Sequence, residues 1–489
     1  MNVPKLTQYC FLVPVSIYTY RGYDESFTFA PFHTKKIMQG RLHSLFITGL
    51  FLVFQLTLVT AQRGDTLNRI TPAEKWCYHF QFTGIDQGHP AFNSPYTGKN
   101  SFTPAAEDAL SVTSSFYLGI KLWKGASVFV NPEIAGGRGM SSTLGIAGFP
   151  NGETFRIGDP APELYLARGF IRQHISLGGS NTDTPDCSST QLGGECLPSR
   201  RLTITAGKFS MADIFDNNSV SHDPRKQFMN WALMNNAAWD YPANTRGYTE
   251  GVVIEYYSKA IILRVAETLM SKEANGEVME TDITKSRGET FEAEKDYKIK
   301  NRKGAVRLLL FHNLSHAGNY RTAINNLLNR TDTTMNVNTV TTNEGNKYGF
   351  GINAEQELTD NVSAFFRYSW NDGHTATWEF TEIDRSLSTG LQIKGTKWKR
   401  PNDMLGAAFL VNGLSKDHWD FLNYGGYGFM LGDGTLPHYG SEQIFETYYS
   451  IPLAKTIWLS GDYQFVMNPG YNRERGPINV GALRVHIEF

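Results

Sequence analysis

The chain has 489 residues, of which 41% are hydrophobic, 13% aromatic and 19% charged, and its formal net charge is −1. A mean hydropathy of −0.33 excludes a polytopic helical membrane protein, which needs several apolar stretches of about 20 residues each. The balanced charge provides no basic surface for nucleic acid, and the aromatic content argues against a disordered chain.

The longest apolar run, residues 45–61, has the features of a secretory signal peptide. Basic residues precede it, and Val59 and Ala61 stand three and one positions before a cut ahead of Gln62. A single transmembrane anchor is the alternative, and the polar residues within the run disfavour it. Because signal peptides begin at the N-terminus, we predict that Met38 is the true start and that residues 1–37 are a non-native upstream extension.

Apolar and polar residues then alternate with period two along many segments, which predicts strands. The apolar faces include, in chain order, Phe116/Leu118/Ile120/Leu122, Tyr165/Ala167/Gly169/Ile171, Tyr348/Phe350/Ile352/Ala354, Leu387/Thr389/Leu391/Ile393, Ile457/Leu459/Gly461/Tyr463/Phe465 and Gly481/Leu483/Val485/Ile487/Phe489. Charged residues such as Asp462 and Arg484 occupy the opposite faces. Strands that are apolar outside and charged inside are typical of a transmembrane barrel, and residues 320–328 are the best helical candidate.

We therefore predict an all-β fold, a transmembrane antiparallel β-barrel of about 16 strands over residues 62–489. Short and long connections alternate, as periplasmic turns and external loops do. The predicted long connections are residues 86–107, 136–163, 210–245 and 271–303. The last of these carries 16 charged residues out of 33 and is interpreted as a solvated surface loop.

Four cysteines are too few to form a disulfide scaffold in a chain of this length. Cys187 and Cys196 lie in a stretch rich in Gly, Ser and Thr, where a loop disulfide is predicted if the chain is exported, with two free thiols as the alternative. Cys77 is predicted to be unpaired. No metal site is predicted, since zinc would need further Cys or His residues nearby.

The predicted loop 210–245 follows the fifth strand and is expected to fold into the lumen and narrow it. Its Asp, Asn and Arg side chains offer hydrogen-bonding groups to sugar hydroxyls, and its aromatic faces offer stacking area. The candidate solute-binding residues are Asp216, Arg225, Trp231, Trp239, Asp240 and Tyr241 of the loop, Lys208 before it, and the lumenal arginines Arg168, Arg172 and Arg367. For Trp231 and Trp239, packing of the loop against the wall is an equal alternative.

Several motifs occur in order along the chain. They are His89-Pro90-Ala91-Phe92-Asn93-Ser94-Pro95-Tyr96-Thr97-Gly98, Thr205-Ala206-Gly207-Lys208-Phe209, Asn230-Trp231-Ala232-Leu233-Met234, Ala238-Trp239-Asp240-Tyr241-Pro242, Thr381-Glu382-Ile383-Asp384-Arg385 and Asn468-Pro469-Gly470-Tyr471-Asn472-Arg473. From about residue 79 to the end, the chain resembles the carbohydrate-selective porin family of the OprB type. The resemblance implies a sixteen-stranded barrel, narrowed by inward loops, for passive entry of mono- or oligosaccharides. The upstream extension, the Cys187/Cys196 stretch and the charged segment 271–303 depart from the family pattern.

The sequence thus predicts an outer-membrane porin for passive, preferential diffusion of sugars, with no enzymatic activity, no cofactor and no metal. Its expected partners are sugars and the lipid bilayer, without nucleic acid, as a monomer or a trimer. A porin for another small polar or anionic solute, such as phosphate, is the alternative because the lumenal arginines permit it. A barrel enzyme is disfavoured by the absence of G-x-S-x-G, a TonB-dependent receptor by the lack of room for a plug, and a fatty-acid transporter by the charged lumen.

Overall fold

The computed structural model describes residues 75–179, 181–183, 192, 196–331 and 345–489. The predicted extension (1–37) and signal peptide (38–61) lie outside the described residues. Among those described, no helix has the length and apolar character needed to cross a membrane.

Sixteen antiparallel strands close into one barrel, which confirms the predicted fold class. They are β1 (Trp76–His89), β2 (Glu107–Trp123), β3 (Ala126–Gly137), β4 (Glu163–Ser176), β7 (Arg201–Phe209), β8 (Thr249–Tyr257), β9 (Ile262–Thr268), β10 (Arg287–Ile299), β11 (Arg302–Ser315), β12 (Gly345–Thr359), β13 (Val362–Asn371), β14 (Arg385–Gly395), β15 (Arg400–Gly413), β16 (Glu442–Ala454), β17 (Ile457–Met467) and β18 (Ile478–Glu488). The first and last strands pair with each other, with Gln81 opposite Glu488, so the sheet has no free edge. A separate two-stranded hairpin, β5 (Asn181–Asp183) and β6 (Cys196–Pro198), lies between β4 and β7.

The alternation in the sequence fixes which side chains face the lumen. On β18, for example, Leu483 is 52% exposed on the outer surface, whereas its neighbour Arg484 is 1% exposed inside the barrel. Because lipid surrounds a transmembrane barrel and the interior is polar, the exposed apolar side chains form the lipid-facing surface.

Tight turns join the strands at one end of the barrel, and long loops join them at the other. The turn between β2 and β3 contains only Lys124 and Gly125, and Gly125 has a φ of 78° that favours glycine. Since turns are periplasmic and long loops extracellular in such barrels, this asymmetry orients the chain. One turn-side connection is longer: β4 ends at Ser176 and β7 begins at Arg201 on this side, as the predicted alternation requires. Leu192, between these strands in the chain, is fully buried in one apolar cluster with Phe129.

The prediction of a long loop over residues 271–303 is wrong. Strand β10 begins at Arg287 and β11 at Arg302, so the external connection ends at residue 286. Glu292 and Glu294 point into the lumen, while Phe291 faces outward. The charged residues of this strand therefore belong to its lumenal face. Composition alone does not distinguish such a face from a solvated loop.

Cys77, predicted to be unpaired, is disulfide-bonded, so that prediction is wrong. Its side chain is buried on the lumenal face of β1 at the periplasmic end. The side chains of the other three cysteines lie outside the described residues, and the pairing of Cys187 with Cys196 stays a prediction.

Extracellular loops fold back into the barrel and build an apolar core inside it. Within the described residues, three short α-helices belong to these loops: α1 (Trp231–Met234), α2 (Tyr320–Leu328) and α3 (Lys416–Asn423). The loop between β7 and β8, residues 210–248, is named here the constriction loop. Its Phe215, Phe228, Trp231, Leu233 and Trp239 are all buried in that core.

Buried carboxylates attach these loops to the barrel by accepting hydrogen bonds from backbone amides. Glu442 of β16 accepts from Ala147 and Gly148 at 3.0 and 2.7 Å. Glu446, on the same strand, accepts from Met229 and Asn230 of the constriction loop. Each carboxylate thereby satisfies amides that would otherwise be buried without a partner.

Candidate functional site

A cavity of about 390 Å³ lies in the lumen between the constriction loop and the wall formed by β1–β4. The wall contributes Gln81, Thr113, Tyr117, Glu133, Ala135, Tyr165 and Arg168; the constriction loop contributes, among others, Asp213, Asp223, Arg225, Trp231, Tyr241 and Tyr248; and other extracellular loops contribute Glu153, Phe155, Asn275, Glu379 and Phe380. The cavity is thus enclosed by strand residues of the wall on one side and by folded loops on the other.

Arg225 extends from the constriction loop to the wall. Its Nη2 donates to Glu133 at 3.0 Å and its Nε donates to Glu153 at 2.9 Å. Nη1 donates to Gln81 at 2.9 Å and to Ser115 at 3.1 Å. Burial opposes the charged form, but the neighbouring Glu153 and Glu133 carboxylates raise the pKa of Arg225 above its usual range. Arg225 is therefore a permanent cation whose charge is neutralised by two acids.

Glu133 of β3 is the common partner of four hydrogen-bond donors. Oε1 accepts from the hydroxyls of Tyr165 and Tyr248, the latter at 2.9 Å. Oε2 accepts from the hydroxyl of Ser115 and from Arg225. A carboxylate oxygen has room for two such bonds, so the acceptor capacity of Glu133 is filled.

Two further arginines of the lining are also paired with acids. Arg168 of β4 makes a bidentate pair with Asp213, with both distances at 2.6 Å. Its guanidinium lies 5.1 Å from the ring centroid of Tyr248. Arg246 bonds to Glu163 at 2.5 Å and lies 4.4 Å from the ring centroid of Tyr165. Such bidentate and stacked contacts fix the planes of these guanidinium groups.

The acidic side chains that the loops contribute to the lining are buried. Burial raises the pKa of Glu153, an effect that Arg225 partly opposes. Burial also raises the pKa of Glu379 well above its usual range, and the nearby Asp240 adds to that rise. Glu379 in turn accepts from the backbone and hydroxyl of Ser271, at 2.7 and 2.9 Å.

The structure places four of the ten predicted solute-binding residues in the cavity lining: Arg168, Arg225, Trp231 and Tyr241. Trp231 is only 6% exposed, because its ring stacks on Phe380 at 6.0 Å and meets the edge of Phe149. Its indole nitrogen donates to the carbonyl of Asn151 at 2.7 Å. The indole therefore mainly packs the loop and exposes little of its surface to the cavity.

Three other predicted residues are buried within the constriction loop. Asp216 accepts from the backbone amide of Asn236, and Asp240 accepts from the amides of Trp378 and Glu379 at 2.9 and 2.8 Å. Trp239 is fully buried. These residues shape the loop from within and do not line the cavity.

Arg367 of β13 is also enclosed by the constriction loop. It is 1% exposed and donates to the carbonyls of Leu233 at 2.9 Å and Ser221 at 2.7 Å. It also pairs with Asp216 at 3.3 Å. The sequence correctly placed Arg367 on the lumenal face, but here it holds the loop.

Lys208 and Arg172 complete the set. Lys208 shares the outward face of β7 with Ile204, and its ammonium lies 4.0 Å from Glu250, so it faces away from the lumen. Arg172 faces inward on β4 and donates to Thr205 of the neighbouring strand at 2.9 Å, outside the cavity lining. Neither position brings the side chain to the cavity.

Sequence reasoning missed Glu133, Tyr165 and Tyr248. Uninterrupted alternation along β4 predicts an outward-facing Tyr165. A β-bulge between β3 and β4, where Asn131 pairs with Arg168 and Pro132 with Leu166, inserts one residue and turns Tyr165 into the lumen. The proline in β3 is the signal that could have revealed it, since proline in a strand often marks a bulge.

Trp231→Phe is expected to leave sugar binding nearly unchanged, within about twofold, because the covered ring offers little stacking area to a solute. Titration of sugar-induced block of single-channel current measures this. A loss of sugar block in the variant with an unchanged open-channel current would show that Trp231 contacts the solute.

A family model described as carbohydrate-selective porin, OprB family, matches residues 99–489. A structure titled "High pH structure of Pseudomonas putida OprB" is similar, with a TM-score of 0.63 at 16% identity, covering 85% of this chain and 94% of the other. The outer membrane channel DcaP of Acinetobacter baumannii has a TM-score of 0.46 at 10% identity, covering 85% and 97% of the two chains. No curated protein matches the chain.

Proposed function

This chain belongs to the carbohydrate-selective porin family of the OprB type, and we propose that sugars cross it through the cavity between the constriction loop and the β1–β4 wall. As a porin of this family it is an outer-membrane channel for carbohydrates. The proposal names the path of the solute and the groups that the solute contacts. We also propose that the chain works as a channel and catalyses no reaction.

The observation that carries the proposal is the pairing of the guanidinium groups in the lining. Arg168, Arg225 and Arg246 each donate to at least one carboxylate within 3.0 Å. The donor positions of Arg168 and Arg225 are thus largely occupied by the protein. Arg246 uses Nη2 for Glu163, and its Nη1 is buried away from the solute. The lining contains the carboxylates Glu133, Glu153, Asp213, Asp223 and Glu379, so acids outnumber arginines.

Such a lining suits a neutral solute that donates hydrogen bonds. A sugar hydroxyl carries one hydrogen, and carboxylate and phenol oxygens accept it. An anion such as phosphate needs several free donors, and the guanidinium donors of Arg168 and Arg225 are already bonded to the protein. Although arginines are present, their pairing makes the phosphate alternative the weaker one.

Liposome swelling with the purified full-length mature protein tests the proposal. Glucose is expected to enter faster than an amino acid of similar size, and phosphate is expected to enter most slowly. In planar bilayers the reversal potential is expected to show a modest preference for potassium over chloride, because acids outnumber arginines in the lining. Equal rates for glucose and the amino acid, or a preference for chloride, would contradict the proposal.

We also propose that export is directed by residues 38–61, that residues 1–37 are not native, and that the mature chain is residues 62–489. The barrel requires delivery to the outer membrane, and the charged, apolar and small-residue order of this segment is that of a signal peptide. N-terminal sequencing of the protein from outer-membrane fractions is expected to begin at Gln62. A mature chain that retains residues 45–61 would contradict it.

A further inference from the structure

We propose that Glu133 is a positioning residue that makes the cavity select solutes carrying free hydroxyl hydrogens over solutes of the same size that only accept hydrogen bonds. The inference rests on the proposed path through the cavity. It goes further, since it attributes the selection of the solute class to one carboxylate of the wall and to the groups that this carboxylate orients.

Glu133 determines where the phenol hydrogens of the lining point. The hydroxyls of Tyr165 and Tyr248 both donate to its Oε1. A phenol has one hydrogen, so both tyrosines are left with only acceptor lone pairs for a solute. Both tyrosines belong to the cavity lining.

The second oxygen of the Glu133 carboxylate also accepts hydrogen bonds from the protein. Its Oε2 accepts from Ser115 and from Nη2 of Arg225 at 3.0 Å, and Glu153 accepts from Nε of Arg225 at 2.9 Å. The Glu133 side chain is 3% exposed, so a solute cannot replace these partners without leaving a buried charge unpaired. The arrangement is therefore fixed before the solute arrives.

Arg168 extends the pattern beside the phenols. Its Nε and Nη2 donate to Asp213, and its Nη1 donates to Asn131 at 2.9 Å. The guanidinium donors nearest to Tyr248 are thus also occupied. The wall around Glu133 presents acceptors, and a solute is recognised by the hydrogens it donates.

This arrangement is expected to discriminate between two neutral solutes that have the same sugar ring. Glucose donates through its hydroxyls, whereas fully O-methylated glucose has the same oxygens and no hydroxyl hydrogen. The methylated sugar is larger, so the measured quantity is the change of the glucose to methyl-glucose swelling ratio between wild type and variants. That comparison cancels the size difference, which all variants share.

Glu133→Gln tests the inference. The single amide oxygen is expected to turn to the Arg225 cation and Ser115, which places the amide NH2 against the two phenols. The phenols then have no acceptor there, and their hydrogens become available to a solute in the lumen. The glucose to methyl-glucose ratio is expected to fall about threefold to tenfold, the factor that one or two hydrogen bonds represent. Glu133→Asp, which keeps the charge and both oxygens, is expected to restore part of the ratio.

Tyr165→Phe combined with Tyr248→Phe is the second variant, and it leaves every charge in place. It removes the two phenol acceptors, so the ratio is expected to fall while the reversal potential stays at its wild-type value. This variant also serves if Glu133→Gln does not give a folded barrel, as judged by heat-modifiable migration on gels.

The outcomes separate this inference from the proposed path. If wild type does not favour glucose over an amino acid of similar size, the proposed function fails. If wild type favours glucose but both variants keep the wild-type glucose to methyl-glucose ratio, the role of Glu133 is overturned and the path stands.

Discussion

Arg367→Met is expected to release the constriction loop and raise the single-channel conductance several-fold. The arginine is buried and donates to the carbonyls of Ser221 and Leu233 while pairing with Asp216. Removing one partner of a buried ion pair costs about 3–5 kcal/mol, because the remaining charge and carbonyls stay in a dry environment. That is enough to loosen the loop around Ser221 and Leu233 and so widen the path, while its apolar side chains keep the rest of the loop in the core.

Planar-bilayer recording of the variant measures the effect, together with the loss of sugar block that a wider path implies. Arg302→Met is the matched control, because Arg302 pairs with Asp360 at 2.8 Å at a turn where Asp360 is largely exposed. Such a pair contributes little, so the control should conduct as wild type does. Wild-type conductance and sugar block in Arg367→Met would refute the anchoring role of this arginine.

Arg225→Ala is the second large effect, and we expect a strong preference for cations with a higher conductance. The substitution removes the bridge across the cavity and leaves Glu133 and Glu153 without their shared cation. Two unpaired carboxylates at a constriction attract cations and repel anions. The reversal potential in a salt gradient measures the shift.

This cation preference is expected to grow with rising pH. Burial raises the pKa of Glu153, while the guanidinium of Arg225 lowers it. Without Arg225 the pKa of Glu153 rises further, so the carboxyl is protonated and neutral at low pH and becomes charged as the pH increases. Wild type should show less of this dependence because Arg225 lowers the pKa of Glu153, and Glu153→Gln added to Arg225→Ala should reduce it. A pH-independent reversal potential in Arg225→Ala would contradict the assignment of Glu153 as the titrating group.

The strands were predictable because lipid and water impose opposite demands on successive residues. Leu483 and Arg484 illustrate this rule, and it extends to the closure of β1 against β18. The same rule failed where one residue was inserted: the bulge near Pro132 reversed the predicted face of Tyr165. The prediction also fails at Glu292 and Glu294, whose charge favours a loop although they lie in β10.

The site was predicted less well than the fold for a related reason. Alternation indicates that Arg168 and Arg367 both face inward, but it does not say what each side chain meets there. Arg168 lines the cavity, whereas Arg367 is covered by loop carbonyls. The difference depends on the path of a loop more than a hundred residues away in sequence from Arg367, and no local pattern records that path.

Besides the packing of their apolar side chains, the inner loops are attached to the barrel and to one another through backbone amides. Glu442 and Glu446 bind amides of residues 147–148 and 229–230, and Asp240 binds those of Trp378 and Glu379. Every residue except proline carries such an amide, so these attachments are indifferent to the side chains the loops carry. Side chains that contact the solute can therefore be substituted one by one without changing the course of each loop. The solute preference can change in this way while the barrel and its loops stay the same.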